Sequence, residues 1–200
     1  MTATASPKRR YRMVARADAA AATKERILAT AWRHFSERPY DDVRVADIAA
    51  DADVSVPTVH AHVGTKDGLF VASWVWRMTP EGARRDSARV GDVRGAIRVL
   101  YDSYEADGDA VLLMLAHEHR ITAVHTMAEA GRAWHRDWVA RTFAPLLEGV
   151  SGAKRERRVV ALVVATDLLV WKLLRREMKL DRKAAERIVA DMVTATKGAP

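Results

Sequence analysis

The sequence contains no cysteine. That absence excludes disulfides, thiolate zinc sites and cysteine nucleophiles, and it suits a reducing cytoplasm. Glycine and proline are also sparse, at 10 and 6 of 200 residues. Few helix breakers leave room for long helices, and abundant alanine and arginine favour helix over strand. We therefore expect an all-α fold.

Long apolar stretches are missing as well. The run Val159–Val164 is far shorter than the ~20 residues that a bilayer-spanning helix requires. The basic N-terminus is not followed by an apolar segment, so it does not resemble a signal peptide. We expect a cytoplasmic protein that makes no membrane contact.

The motifs of common enzymes are absent too. No Gly-rich phosphate loop, nucleophile elbow or paired-carboxylate site is visible, so we expect neither an enzyme nor a cofactor. His117, Glu118, His119 and His125 could suggest a metal site. Histidines two residues apart lie on different sides of a helix, whereas metal ligands there prefer spacings of three or four. We expect the polar end of a helix and no metal.

The net charge of +7 is unevenly distributed along the chain. Residues 1–16 contain no acid and hold five basic residues: Lys8, Arg9, Arg10, Arg12 and Arg16. A basic arm over residues 1–18 suits a polyanionic partner. A disordered, solubilising tail is the alternative, and the composition does not distinguish the two.

Hydrophobic periodicity predicts four helices in the first half of the chain. A long helix over 19–37 carries Ile27, Ala31 and Phe35 at i+4 spacing. Two short helices follow, Val45–Ala52 and Val56–Val63, and a fourth begins at Thr65 and ends at Thr79 and Pro80. We predict a head over 19–79 and a connection over 80–91, with a partly helical connection as the alternative.

The same periodicity predicts five more helices in the second half of the chain, for about nine in all. We expect them to belong to one domain over 80–200. Their expected ranges are Asp92–Ala106, Asp109–His117 after a turn at Gly108, Thr122–Phe143, Lys154–Met178 and a last helix capped by Asp181.

The apolar surfaces of the last two predicted helices indicate a homodimer. The centre Val159–Leu174 is apolar on nearly every side and must be buried on more than one face. Ile188, Val189 and Met192 form an apolar face on the last helix. Two such hairpins from two chains would form a four-helix interface.

The segment Val45–Phe70 carries the strongest functional signal. Two short helices separated by Asp53, Val54 and Ser55 have the minimum spacing of a helix-turn-helix, whose second helix enters the major groove. Val54 fills the angle between the helices, and Ser55 can cap the second. An ordinary tight helical corner has the same spacing, so spacing alone leaves both interpretations open.

The order of residues over 23–75 resembles the TetR family of bacterial transcriptional repressors. The matching residues are Phe35, Ser36, Glu37, Tyr40, Asp41, Val45, Asp47, Ile48, Ala49, Val54, Ser55, Thr58, Val59, His62, Lys66, Asp67, Leu69 and Phe70. The resemblance implies a homodimer that binds a roughly palindromic operator in double-stranded DNA. It implies release of the DNA when a small molecule binds the C-terminal domain. The sequence does not distinguish a repressor from an activator.

The same resemblance assigns the DNA-contacting residues. The recognition helix would comprise Ser55, Val56, Pro57, Thr58, His60, Ala61 and His62, with Arg44 and Lys66 beside it. Lys66 matches a phosphate-contacting lysine, and unpaired N–H groups at a helix N-terminus favour anions independently.

Three positions depart from the family pattern. Asp53 replaces the usual glycine of the turn, and aspartate adopts a left-handed conformation at little cost. His60 replaces the usual tyrosine, and Val63 replaces the usual aromatic residue. Residues 41–66 also hold five aspartates against Arg44 and Lys66, so the motif is not a basic patch. Positive charge would have to come from the arm, Lys24, Arg26 and Arg77.

Aromatic and apolar side chains crowd the middle of the second half. Candidates for lining an effector pocket are Tyr101, Tyr104, Leu112, Leu115, Met127, Trp134 and Trp138. Such a pocket would suit an apolar or aromatic small molecule, although an aromatic stripe at helical spacing also occurs in an ordinary core. A small helical ligand-binding protein or enzyme with a helix-turn-helix-like head is the alternative function.

Overall fold

The computed structural model describes residues 7–198, with side chains from residue 15 onward. Within that range the chain is all-helical and forms no strand, which confirms the predicted fold class. The helices are α1 (Pro7–Glu37), α2 (Val45–Asp51), α3 (Val56–Val63), α4 (Lys66–Asp86), α5 (Val93–Leu115), α6 (Thr122–Thr142), α7 (Gly152–Ala165), α8 (Leu168–Lys172) and α9 (Arg182–Ala195). A π-helical turn, Leu173–Glu177, follows α8, and short 3-10 turns lie at Tyr40–Asp42, Ala144–Leu147 and Thr196–Gly198.

The chain divides into two compact units, Met1–Arg77 and Met78–Pro200, and α4 contributes residues to both. No helix in the described part of the chain combines the length and the hydropathy that a membrane-spanning segment needs.

The core of the first unit joins the four helices of the predicted head. The side chains of Ile27, Ala31, Ile48, Val59 and Leu69 are fully buried there. They are the apolar positions that the periodicity singles out, because burial of one stripe per helix drives the packing.

Aromatic rings close the same core. The Phe35 ring meets the edge of the Phe70 ring at a centroid distance of 4.8 Å and stacks on the Tyr40 ring at 5.8 Å. This packing fixes the start of α4 against the end of α1, so the helix-turn-helix between them has a rigid base.

Helix α1 begins twelve residues earlier than the predicted start at Ala19. The periodic apolar positions begin only at Ile27, so periodicity detects the buried part of the helix alone. Residues 15–22 are exposed, and their helical backbone is consistent with the high intrinsic propensity of alanine and arginine. The predicted basic arm over residues 1–18 therefore lies within α1 from Pro7 onward, whereas residues 1–6 lie outside the described residues.

Helix α4 does not end at Thr79 and Pro80 as predicted but continues to Asp86. Proline removes one hydrogen bond of the helix, a loss that neighbouring contacts can offset. Beyond Pro80, the buried Arg85 donates from Nε to Glu81 Oε1 at 3.3 Å, and its carbonyl accepts from Trp138 Nε1 at 2.9 Å. The ion pair within α4 and the tertiary bond from Trp138 together hold the last two turns of the helix.

The core of the second unit is larger and combines helices α5 to α9. Its largest fully buried side chains are Tyr101, Trp138, Phe143, Leu162 and Trp171. The predicted turn at Gly108 is wrong, because α5 runs unbroken through that residue.

The predicted single helix over 154–178 is also wrong, because it breaks between α7 and α8. Thr166 ends α7 with its hydroxyl donating to the Leu162 carbonyl at 2.8 Å. Asp167 begins α8 by accepting from the Leu169 N–H at 2.8 Å. The short polar side chains offer the backbone an alternative to the helical hydrogen bonds, so the break falls between them. The predicted Asp181 cap of α9 is confirmed, since its side chain accepts from the Ala184 N–H at 2.9 Å.

Candidate nucleic-acid interface and effector site

The turn between α2 and α3 has the left-handed backbone that the sequence predicts. Asp53 has a φ of +51°, a conformation rare for residues with a side chain but least costly for asparagine and aspartate. The Asp53 N–H reaches the Ala50 carbonyl at 3.1 Å, and the Val54 N–H reaches the Ala49 carbonyl at 3.0 Å. These bonds satisfy the last carbonyls of α2 and direct the chain into α3.

Ser55 caps the N-terminus of α3, as predicted. Its Oγ accepts from the Thr58 N–H at 3.3 Å and lies 2.8 Å from the Thr58 hydroxyl. Pro57 occupies the first turn, where no donated N–H is needed. Both features are encoded within four residues, which explains why α3 has its predicted bounds.

Helix α3 turns one side inward and the other outward. Val59 is fully buried, whereas Pro57, His60 and Ala61 are exposed and Thr58 and His62 are half-buried. Among the predicted DNA-contacting residues, Ser55 and Arg44 are exposed and Val56 is half-buried. The structure thus brings the outward residues of α3 together on one surface.

His60 has its ring orientation fixed within this surface. Its Nδ1 donates to the Gly64 carbonyl at the end of α3. In the neutral ring this leaves Nε2 as an acceptor. The ring can therefore accept a hydrogen bond where the family's usual tyrosine would present a hydroxyl.

Lys66 is held within the first unit. Its ammonium donates to the Tyr40 carbonyl at 2.6 Å and lies 4.1 Å from the centroid of the Tyr40 ring. Burial lowers the pKa of Lys66, and the nearby carboxylates of Asp41 and Asp67 oppose that shift. An ammonium has three donors, so the bond to Tyr40 leaves two N–H groups for a phosphate.

Spatial pairing offsets part of the acidic charge counted in the motif. Asp51 accepts from Arg33 at 2.9 Å and contacts His34 Nε2 at 2.8 Å. The hydrogen bond with His34 holds the pKa of Asp51 below its usual range. Arg26 donates to the Ala52 carbonyl at 2.8 Å, so it stabilises the C-terminus of α2.

The residues predicted to line an effector pocket occupy two environments. Tyr101, Tyr104 and Trp138 belong to the buried core of the second unit, and Leu112 and Leu115 pack against it half-buried. Met127 is half-buried, and Trp134 is 36% exposed.

A polar cluster that the sequence analysis missed lies among these aromatic rings. The buried Arg85 guanidinium lies 4.9 Å from the Trp134 ring centroid, 5.4 Å from that of Tyr104 and 5.6 Å from that of Trp138. Cations are attracted to the faces of aromatic rings, most strongly where water is excluded. The i, i+4 spacing of Glu81 and Arg85 is a signal in the sequence, but it lies in the segment 80–91 that is predicted to be a connection.

His135 completes the cluster through a chain of hydrogen bonds. Arg85 NH1 donates to His135 Nδ1 at 3.1 Å, so the Nε2 atom carries the proton and donates to the Thr166 hydroxyl at 3.2 Å. Burial, reinforced by the charge of Arg85, lowers the pKa of His135 to about 3. The ring is therefore neutral at physiological pH and accepts from a buried cation.

One predicted pocket residue has an unsatisfied polar group. The Tyr101 hydroxyl is buried and has no hydrogen-bond partner among the described residues, and burial raises its pKa. Buried tyrosine hydroxyls usually have a partner. The neighbouring Tyr104 hydroxyl, in contrast, donates to the Thr166 carbonyl at 3.0 Å.

Comparisons with known proteins bear on both units. Residues 27–73 match the family model described as bacterial regulatory proteins, tetR family. No curated protein sequence matches the chain.

Solved structures extend the likeness beyond the head. A transcriptional regulator from Rhodococcus sp. Rha1 is 17% identical, with a TM-score of 0.69 over 86% of this chain and 95% of that one. A tetR-family transcriptional regulator from Streptomyces coelicolor is 18% identical, with a TM-score of 0.69 over 88% and 82% of the two chains. The multidrug binding protein EbrR, solved with imidazole, is 21% identical, with a TM-score of 0.58 over 94% and 90%. The predicted resemblance is confirmed: residues 27–73 carry the TetR-family motif, and the chain has the fold of solved TetR-family transcriptional regulators.

Proposed function

We propose that the chain is a transcriptional regulator that binds a palindromic operator as a homodimer and acts as a repressor in the cytoplasm. A small molecule bound in the second unit releases the DNA. Residues 19–79 bind DNA, and residues 80–200 dimerise and bind the effector. The observation that carries the proposal is the exposed face of α3, presented by a left-handed turn at Asp53 and a Ser55 cap.

The exposed face of α3 suits the major groove. Thr58, His60 and His62 have side chains that hydrogen-bond to base edges or phosphates, and Ala61 presents a methyl group that suits a thymine methyl. Arg44 is exposed at the N-terminus of α2, where its charge suits the phosphate backbone. Phosphate contacts supply affinity and base contacts supply specificity, so the two sets are separable by experiment.

Exposed apolar side chains on the second unit support the homodimer. Val164 is 55% exposed on α7, Leu169 is 61% exposed on α8, and Met192 is 40% exposed on α9. Val160, Leu173 and Ile188 add to the same set. Large exposed apolar patches mark interaction surfaces, and two copies of one hairpin form a closed C2 interface.

The Arg85 cluster and the Tyr101 hydroxyl support an effector site in the second unit. An unpaired buried hydroxyl offers a hydrogen bond to a bound molecule, and Trp134 is the most exposed of the candidate aromatic residues. The solved neighbour EbrR is a multidrug binding protein, which supports a small-molecule effector here.

Helix α4 is the covalent route between the two functions. It begins at Lys66, within the motif, and carries the buried Arg85 in its last turn. An effector can lower DNA affinity only if it binds the released conformation more tightly. A coupling of about 1–3 kcal/mol, or about 5–150-fold in operator affinity, is enough to switch a promoter.

Selection from a random duplex library, followed by salt-titrated binding, tests the proposal. We expect enriched sequences with two half-sites related by a two-fold axis, spaced by about one helical turn or a multiple of it. His60→Ala should change the enriched sequence, whereas His119→Ala, an exposed histidine in the second unit, should not. Failure to enrich any sequence would support the alternative of a ligand-binding protein or enzyme with a helix-turn-helix-like head.

A further inference from the structure

A groove of about 310 Å³ lies between α5 and α9 in the second unit. Its floor is apolar, because Ile97 and Ala190 lie there at 1% and 8% exposure. Its walls carry Arg94 and Arg98 from α5 and Lys183 and Arg187 from α9. Volumes of about 300 Å³ and above are typical of small-molecule sites, which combine apolar surface with a few convergent polar groups.

The four wall cations form two facing pairs. Arg94 and Arg98 are one helical turn apart, as are Lys183 and Arg187, so each pair lies on one side of its helix. None of the four makes an ion pair with a carboxylate in the described part of the chain. Arg187 only helps to lower the pKa of Asp181, behind the hydrogen bond from the Ala184 N–H.

The one acidic wall residue, Glu186, is ion-paired with Arg182. Glu186 accepts from Arg182 Nε at 2.6 Å, and the same guanidinium donates to Asp102 at 2.6 Å. Together the four wall cations and Arg182 outnumber Glu186 and Asp102 by three charges, so the groove stays positive. Like charges that share a groove repel one another, and a bound anion relieves that repulsion.

We infer that this groove binds a small amphipathic anion. Such a molecule has an apolar body of one or two rings, or a short acyl chain, and carries a carboxylate, sulfate or phosphate. The apolar body covers Ile97 and Ala190, while the acid group accepts charge-assisted hydrogen bonds from Arg98 and Arg187.

The site is separate from the proposed dimer surface. At 3.6 residues per turn, Ile188 and Met192 lie on the side of α9 roughly opposite to Lys183 and Arg187. The groove also stands apart from the DNA-binding proposal, because all of its residues belong to the second unit. Experiments can therefore disprove the anion site without affecting the DNA-binding proposal, and the reverse.

Titration calorimetry on the full chain with three probes tests the inference. The probes are 1-naphthyl phosphate, inorganic phosphate and 1-naphthol, which present both features, the charge alone and the apolar body alone. We expect naphthyl phosphate to bind about tenfold tighter than either of the others. It should also raise the midpoint of thermal unfolding, since a ligand of the folded state stabilises it.

Matched variants locate the binding. Arg98→Gln with Arg187→Gln should weaken naphthyl phosphate about tenfold or more, since each removes a charge-assisted hydrogen bond. Arg98→Lys with Arg187→Lys, which keeps the charge, should restore most of the affinity and so report on fold integrity. Arg155→Gln with Arg157→Gln removes two exposed cations from α7 and should change nothing.

Three results would overturn the inference. One is equal binding of inorganic phosphate, which would show diffuse charge attraction only. Another is equal binding of naphthol, which would place the apolar body elsewhere. The third is a loss of affinity in the α7 pair as large as in the groove pair.

Discussion

The indole ring of Trp171 packs directly on the α-carbon of Gly108. A β-carbon at residue 108 would lie 2.6 Å from Trp171 Cζ3, closer than real contacts allow. The ring has little room to retreat, because its Nε1 donates to Glu105 at 3.0 Å and the Arg176 guanidinium lies 4.3 Å from its centroid. The glycine therefore permits α5 and α8 to approach within the core.

Gly108→Ala should destabilise the protein despite the better helix propensity of alanine. Overpacking costs about 1–3 kcal/mol, and the propensity gain of about 1 kcal/mol offsets part of it. We expect a net loss of up to about 2 kcal/mol in the free energy of unfolding, measured with urea. Gly131→Ala is the control, since nothing lies within 4 Å of its added β-carbon on α6, and it should stabilise by about 0.5–1 kcal/mol. Stabilisation by both substitutions would contradict the close approach.

Gly108 and Pro80 show where sequence analysis of the fold fails. Glycine and proline predict breaks from local preference, and here both lie inside helices. At Gly108 the reason is the Trp171 ring, 63 positions along the chain, and beyond Pro80 it is the contact of Arg85 with Trp138. Contacts between residues distant in sequence carry no signature in a local window.

The candidate DNA-binding surface was predictable for the opposite reason. The left-handed Asp53, the Ser55 cap and the buried Val59 depend on neighbours within a few residues. The cluster of Arg85, His135 and Thr166 depends on pairing between α4, α6 and the end of α7, so residue spacing does not reveal it. Lys66 lies between these cases: its place at a helix start was predictable, but its bond to the Tyr40 carbonyl was not.

His135 should make stability fall with acid. Its pKa is about 3 in the folded protein against about 6.5 when unfolded, so between these values the unfolded chain binds more protons. The free energy of unfolding therefore falls as pH is lowered from about 6.5 toward 3, by up to about 1.4 kcal/mol per unit from this group. Protonation would set an N–H at Nδ1 against the Arg85 guanidinium.

His135→Leu should flatten that dependence, as measured by urea unfolding at pH 7, 6 and 5. The variant will also be less stable at pH 7, because the hydrogen bonds to Arg85 and Thr166 are lost, so the comparison concerns the slope. His119→Leu removes an exposed histidine and should keep the wild-type slope. A wild-type slope in His135→Leu would mean that another group controls the acid response.

Removing the hydroxyl should lower the free energy of unfolding at one of the two buried tyrosines of α5 but not at the other. Tyr104→Phe removes the donor to the Thr166 carbonyl and should cost about 1 kcal/mol. Tyr101→Phe removes a hydroxyl with no described partner and should leave the free energy of unfolding unchanged or raise it by about 1 kcal/mol. Urea unfolding of both variants decides this, and equal destabilisation would show that the Tyr101 hydroxyl is already bonded.

Lys66→Ala should weaken binding to all DNA sequences alike. A lysine that neutralises one phosphate contributes about 0.9 to the slope of log affinity against log salt concentration, so that slope should flatten by about 0.9. Loss of the contact with the Tyr40 ring should also cost about 0.5–1 kcal/mol of stability. Fluorescence anisotropy over a range of salt concentrations measures the slope, and Lys197→Ala in the second unit is the control. An unchanged slope together with reduced stability would assign Lys66 a purely structural role.

Leu169→Asp should separate the homodimer into folded monomers. The side chain is 61% exposed in the single chain, so an aspartate there should change the stability of the monomer by no more than about 0.5 kcal/mol. In the proposed interface the same carboxylate would be buried without a partner, which is costly enough to raise the dimer dissociation constant about 100-fold or more. Sedimentation at micromolar concentration, with circular dichroism to confirm helicity, measures both effects. Val90→Asp tests the specificity of this result, because Val90 is 63% exposed but belongs to the segment between α4 and α5 and not to α7, α8 or α9. Dissociation by both variants would indicate general charge repulsion, and a wild-type chain that sediments as a monomer would remove the dimer from the proposed function.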